Sequence, residues 1–283
     1  MTRDNEKRSG AAAMPPVGAL PSEGAGAPLM FSAPTEIVDL PSKGKFYPED
    51  HPLRDVAEIE IRHMTAKEED ILTNVALIKK GVAIDRMLQN IIKTPNVEVE
   101  QMFSGDKNAL TVAARITGFG ANYEPKVRCP ACQATTEFSF DLNEHKVIDG
   151  TELPDNVKNT ANGTFMISDL PACEHVVEVR LMTGRDERAL AKSQEQRKKN
   201  NLPPTLVTDQ LKMVIDSVGG STQPADINAF VDTMPLRTAK ALRRIYSDIT
   251  PNVDLTQNFV CSKCEHEEQM EVPFSTEFFW SNK

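Results

Sequence analysis

Two Cys-x-x-Cys pairs, Cys129-Pro-Ala-Cys132 and Cys261-Ser-Lys-Cys264, constrain this chain more than any other feature in it. They lie far apart in sequence and are built alike. An apolar residue stands just before each (Val127; Phe259 and Val260), and a strand-like alternation follows each, Thr136-Glu-Phe-Ser-Phe140 in one case and Gln269-Met-Glu-Val272 in the other. Each pair reads as a zinc knuckle, a tight turn holding two thiolates at the tip of a β-hairpin. One knuckle supplies two soft ligands and structural zinc takes four, so two knuckles of one design predict a single four-cysteine centre assembled from distant parts of the chain. Four thiolates leave no coordination position open, whereas a catalytic zinc keeps one for water or substrate. The expectation is one structural zinc ion on Cys129, Cys132, Cys261 and Cys264. The competing reading, two redox or free-thiol pairs, goes with a βαβ pattern that is not visible here.

A length of 283 residues suggests one or two domains with ample chain for a core. The formal charge of -9 and pI near 5.2 argue against a generic nucleic-acid binder, which needs a basic footprint to displace counterions from phosphate. Proteins are the expected partners. No apolar run is long enough to cross a bilayer, and the opening Met-Thr-Arg-Asp-Asn-Glu-Lys-Arg lacks the apolar segment of a signal peptide. These features describe a soluble protein made in a reducing cytoplasm, where five cysteines point to metal and the odd one, Cys173, to a free thiol.

Residues up to Pro34 are dominated by Ala, Gly, Pro, Ser and Met, a composition that cannot bury enough to offset its ordering entropy, and are expected to be a disordered arm. Order begins near Thr35. Pro41-Ser-Lys-Gly44 reads as a turn, and the alternation of Ala57, Ile59 and Ile61 against Glu58, Glu60 and Arg62 as a half-buried strand. Thr65 and Glu68 have capping-box spacing and open a helix carrying Ile71, Leu72, Val75 and Ile78, ended by Gly81. A second helix holds Ile84, Leu88, Ile91 and Ile92 and stops before Pro95. Gly105-Asp-Lys-Asn108 leads into a buried helix over 109–116, closed by Gly118 and Gly120.

Between the knuckles, Thr164–Ile167 and Val176–Leu181 read as a strand pair, Asp186–Lys199 as a charged, solvated helix, and 208–218 as either helix or strand. Ala225–Met234 and Arg237–Ile249 read as helices, the second turning Ala239, Leu242, Ile245 and Tyr246 inward and Lys240, Arg243 and Arg244 outward to solvent. The C-terminal aromatics, among them Phe278, Phe279 and Trp280, admit two readings: packing on the chain's own domain, or an anchor for a partner.

Motifs of catalysis are missing: no Walker A, Gly-x-Gly-x-x-Gly, Gly-x-Ser-x-Gly or His-Glu-x-x-His is present. His266-Glu-Glu268 matches half of a zinc deaminase signature but follows both cysteine pairs, so it reads as chance. An enzyme is disfavoured. A zinc-ribbon nucleic-acid module is the rival class, and Glu265, Glu267, Glu268 and Glu271 around the second knuckle oppose it. A host-directed regulator is a third possibility.

Leu40-Pro-Ser-Lys-Gly-Lys-Phe-Tyr-Pro48, Gly105-Asp-Lys-Asn-Ala-Leu110, Ala114-Arg-Ile-Thr-Gly118, the two knuckles and Phe278-Phe-Trp280 together resemble the baseplate hub protein family of T-even-like contractile-tailed bacteriophages, over about residues 35–283. The resemblance implies a non-enzymatic part in forming the tail baseplate through contacts with other baseplate or hub proteins, and hence a place in the virion. The combined reading is an α+β protein of helices and short strand hairpins with a zinc-ribbon-like four-cysteine centre. Its expected organisation is an arm (1–34), an N-terminal α+β unit with the first knuckle (35–146), an α-rich insertion (147–254), and the second knuckle with the aromatic tail (255–283).

Overall fold

The alternation before Arg62 forms a half-buried strand, as a period of two requires. In the computed structural model, which describes residues 32–272 and 276–279, β1 (Thr35–Asp39) pairs antiparallel with β2 (Glu58–Arg62), with Val38 opposite Ile59. Residues 1–31 of the expected disordered arm, and Trp280 of the aromatic tail, lie outside the described residues. Glu68 accepts from the amide and hydroxyl of Thr65, 2.8 Å each, at the start of α1 (Ala66–Leu72). The single helix expected to run on through Ile78 is two. Asn74 interrupts it by accepting from the Ala76 and Leu77 amides, capping α2 (Val75–Lys79) and leaving Val75 exposed. α3 (Ala83–Ile91) buries Met87, Leu88 and Ile91.

The central helix, α4 (Ser104–Phe119), is buried on most sides and starts five residues before the expected Ala109, so that Gly105-Asp-Lys-Asn108 forms its first turn. Gly105 is required there: a Cβ would lie 1.8 Å from the Pro251 carbonyl oxygen. Gly120 closes the helix with φ +86°, while Gly118 lies inside it. Short strands follow: β3 (Asn122–Tyr123), β4 (Lys126–Arg128), β5 (Thr135–Glu137), β6 (Phe140–Asp141) and β7 (Lys146–Ile148), with β3 paired to β6 and β4 to β5.

Next come β8 (Val157–Asn159), β9 (Phe165–Ile167), β10 (Val177–Val179), α5 (Gly184–Lys199), α6 (Leu206–Val214), β11 (Ile215–Val218), α7 (Pro224–Thr233) and α8 (Leu236–Ile249). The expected pair β9/β10 sits inside a four-stranded antiparallel sheet of order β11-β10-β9-β8, so this stretch is less purely helical than its composition suggested. The ambiguous segment 208–218 is helix and then strand, changing at Ile215. The chain finishes with β12 (Asn252–Asp254), paired to β7, the hairpin β13 (Thr256–Val260) and β14 (Glu267–Glu271), and a 3₁₀ turn at Thr276–Phe279. The fold class is α+β.

The two halves repeat one plan. Glu60-Ile-Arg-His-Met-Thr65 recurs as Glu178-Val-Arg-Leu-Met-Thr183. In each half an antiparallel strand pair delivers an arginine that forks onto an acid in the first turn of the next helix: Arg62 onto Glu68 at 2.8 and 2.7 Å, Arg180 onto Asp186 at 2.7 and 2.9 Å. A later helix returns an isoleucine to that strand, Ile92 opposite Ile61 and Ile215 opposite Val179. Then comes the long helix, α4 or α8, with Leu110 or Leu242 fully buried, and after it the cysteine hairpin. From Met102 to Cys132 and from Met234 to Cys264 the halves run in register without a gap. The contact under the long helix repeats as well: Asp106 accepts from Ser42 of Leu40-Pro-Ser42, and Thr238 donates to the Pro171 carbonyl of Leu170-Pro-Ala172. Both halves contribute to one continuous core.

Candidate metal centre

The cysteine hairpins have the same backbone. Cys129 donates its amide to Ala134 and accepts at its carbonyl from Gln133, 2.9 Å each; Cys261 does the same with His266 and Glu265, again 2.9 Å each. The residue after the second cysteine takes the left-handed conformation in both, Gln133 at φ +62° and Glu265 at φ +58°. That turn brings both thiols of a pair to one side, and the hairpins β4/β5 and β13/β14 extend it into strands.

All four sulfur atoms lie within 4.8 Å of one another. Cys129 Sγ is 3.8 Å from Cys264 Sγ, and Cys132 Sγ is 3.8 Å from Cys261 Sγ, so the close pairs cross between knuckles. A tetrahedron with arms of about 2.3 Å, the zinc–thiolate length, has edges of about 3.8 Å. The donor set therefore fits a thiolate-bound metal ion in both number and spacing. Cys129 and Cys261 are buried, Cys132 and Cys264 exposed, which puts the centre at the surface end of the two hairpins. The Lys263 amide donates to Cys261 Sγ at 3.4 Å and draws that thiol down to about 6. The His266 amide pulls Cys264 the same way, but the neighbouring sulfurs outweigh it and push Cys264 up to about 12. Four thiolates so close repel, and a bound cation removes that repulsion. Cys173 stands apart, its sulfur donating to the His175 carbonyl at 3.4 Å.

Beneath the hairpins, Phe138 packs edge-on against Phe259 and Phe140, with centroids 5.2 and 4.8 Å away. A family model described as T4 bacteriophage base plate protein matches residues 33–280. The chain belongs to that family. No curated protein and no solved structure matches it significantly.

Two stretches within the matched span have physical roles in the fold. Asp106, wholly buried at the start of α4, accepts from the Ser42 amide at 2.9 Å, the Ser42 hydroxyl at 2.6 Å and the Tyr47 hydroxyl at 2.8 Å, and Tyr47 in turn accepts from the Phe103 amide at 2.9 Å. Burial raises the Asp106 carboxyl and these donors oppose the shift. Leu-Pro-Ser-Lys-Gly is thus a turn locked onto the central helix. Arg115, 1% exposed, donates to the carbonyls of Phe278 at 2.8 Å, Gly120 at 2.7 Å and Asn122 at 3.3 Å. It ties the C-terminal turn to the end of α4.

The rings of that turn are buried as well. Phe278 and Phe279 are each 1% exposed, and Phe278 packs edge-on against Tyr123 with centroids 5.0 Å apart. Apolar rings beside a buried guanidinium gain more by covering it than by facing water.

Proposed function

We propose that this base plate family member is a non-enzymatic component of the baseplate hub, placed in the virion tail and working through contacts with other baseplate proteins. One observation carries this: the family match spans nearly the whole described chain, and the chemistry-bearing cluster within it is a closed set of four thiolates. Such a set suits one structural zinc ion held by Cys129, Cys132, Cys261 and Cys264, with no position left for substrate. When bound, zinc would neutralise the sulfurs and tie the N-terminal and C-terminal parts together, fixing the surface that neighbouring subunits meet. The net charge and the glutamates beside the second knuckle support protein partners over nucleic acid.

The test is quantitative mass spectrometry of purified particles, with this chain measured against a tail protein of known copy number, alongside metal analysis of the isolated protein. A small fixed copy number and one zinc per chain are the expected results. Absence from particles would move the assignment to an assembly factor, and a protein that folds fully after exhaustive chelation would remove the structural role of the metal.

A further inference from the structure

We propose that the outer face of α8 is a docking surface for an acidic segment of another baseplate protein; this rests on the baseplate reading above and names the kind of partner. The internal repeat supplies the argument. Its gapless register puts Arg237, Lys240, Arg243 and Arg244 of α8 where α4 has Gly105, Asn108, Thr111 and Val112. On α4 those positions are covered by the chain itself: Gly105 lies under the Pro251 carbonyl, Asn108 donates to Asn252 Oδ1 at 3.1 Å, and Thr111 and Val112 are buried. On α8 the same four positions are exposed cations.

None of the four makes an ion pair among the described residues. Pairing within the chain does not account for these four, which share one helix face at i, i+3, i+6 and i+7. Helix stability does not account for the placement either, since Arg237 stands in the first turn, where the helix dipole disfavours a cation. Lys240, Arg243 and Arg244 also line a groove of about 750 Å³, at whose base Leu211, Val214 and Leu242 are buried. A row of four exposed cations complements a segment rich in carboxylates.

Ser247 lines the groove and is exposed, so a photo-crosslinking benzoylphenylalanine placed there in the full chain, in infected cells, reports what docks. The expected product joins it to a segment of another baseplate protein in which Asp and Glu exceed Lys and Arg. A crosslink to nucleic acid, to a second copy of this chain, to a basic segment, or no crosslink overturns the proposal. In parallel, the triple variant K240E/R243E/R244E should keep the wild-type Tm and metal content while the crosslink yield falls about tenfold or more; an unchanged yield refutes the role of the cations. Because crosslinking is read in cells and copy number in particles, a chain that is absent from particles yet crosslinks as expected sinks the structural placement and leaves the docking surface standing.

Discussion

Glu68 and Asp186 show how single side chains set the geometry of this protein. Each is the third residue of a helix, takes hydrogen bonds from the preceding threonine, and receives a two-pronged arginine from the strand before it. The Arg62 guanidinium holds the Glu68 carboxyl down to about 2, from an ordinary 4.5. A carboxylate with a lowered folded-state pKa contributes stability in full above its unfolded value and loses it as pH falls toward the folded one. This contribution, on the order of 2–3 kcal/mol, should therefore be complete at pH 7 and fade between about pH 4.5 and 2. Urea denaturation of Glu68→Gln against wild type checks it: a gap of that order at pH 7 that narrows below about pH 4.5 and closes only below about pH 2 is expected. Glu265 is a residue under strain, held left-handed at φ +58° without being glycine. Glu265→Gly should raise stability by about 1 kcal/mol, measured as a higher Tm of the metal-loaded protein, whereas Glu265→Val should lower it.

At the level of elements, the knuckles act as a pair. Cys132→Ser removes one thiolate of four and should lower the Tm by roughly 10 °C or more, with amide exchange accelerated in both β4/β5 and β13/β14, although the second hairpin carries no mutation. Loss of protection confined to the first hairpin would mean that the centre does not couple them. Arg115 joins α4 to the C-terminal turn, and Arg115→Leu strands three carbonyls, each costing about 1–3 kcal/mol. Chymotrypsin should then cut at Phe278 or Phe279 in the variant and spare them in wild type. Much at this scale was legible in the sequence: both knuckles, their shared centre, the Thr65–Glu68 cap, and most helices carry local periodicity or spacing. The break at Asn74 was missed because an Asn cap looks like any polar helix residue, and the short strands β3, β6, β8 and β12 were missed because two or three residues show no alternation. The buried roles of Asp106 and Arg115 depend on partners 64 and 163 residues away, and no local pattern reports those. The correspondence of the halves was within reach, since Glu-Ile-Arg-His-Met-Thr and Glu-Val-Arg-Leu-Met-Thr are visible to a comparison of the chain with itself.

Taken whole, the molecule is one plan used twice, with the shared plan broken where α4 is enclosed and α8 is open. The four-sulfur centre draws one pair from each half, and Cys261 follows Cys132 by 129 residues. On the ribosome this separation becomes a delay. At about 5–20 residues per second, the nascent chain presents its first two thiolates roughly 6–26 s before its last two are synthesised. During that interval the first hairpin has half a ligand set, and the nearest complement in a crowded polysome is the completed C-terminal pair of a neighbouring chain. Strong overexpression should therefore yield a fraction of exchanged dimers, each metal bridging two chains, separable by size-exclusion chromatography and diminished when synthesis is slowed by lowering the temperature. A dimer fraction independent of expression rate would show that the first hairpin is protected until its own partner arrives.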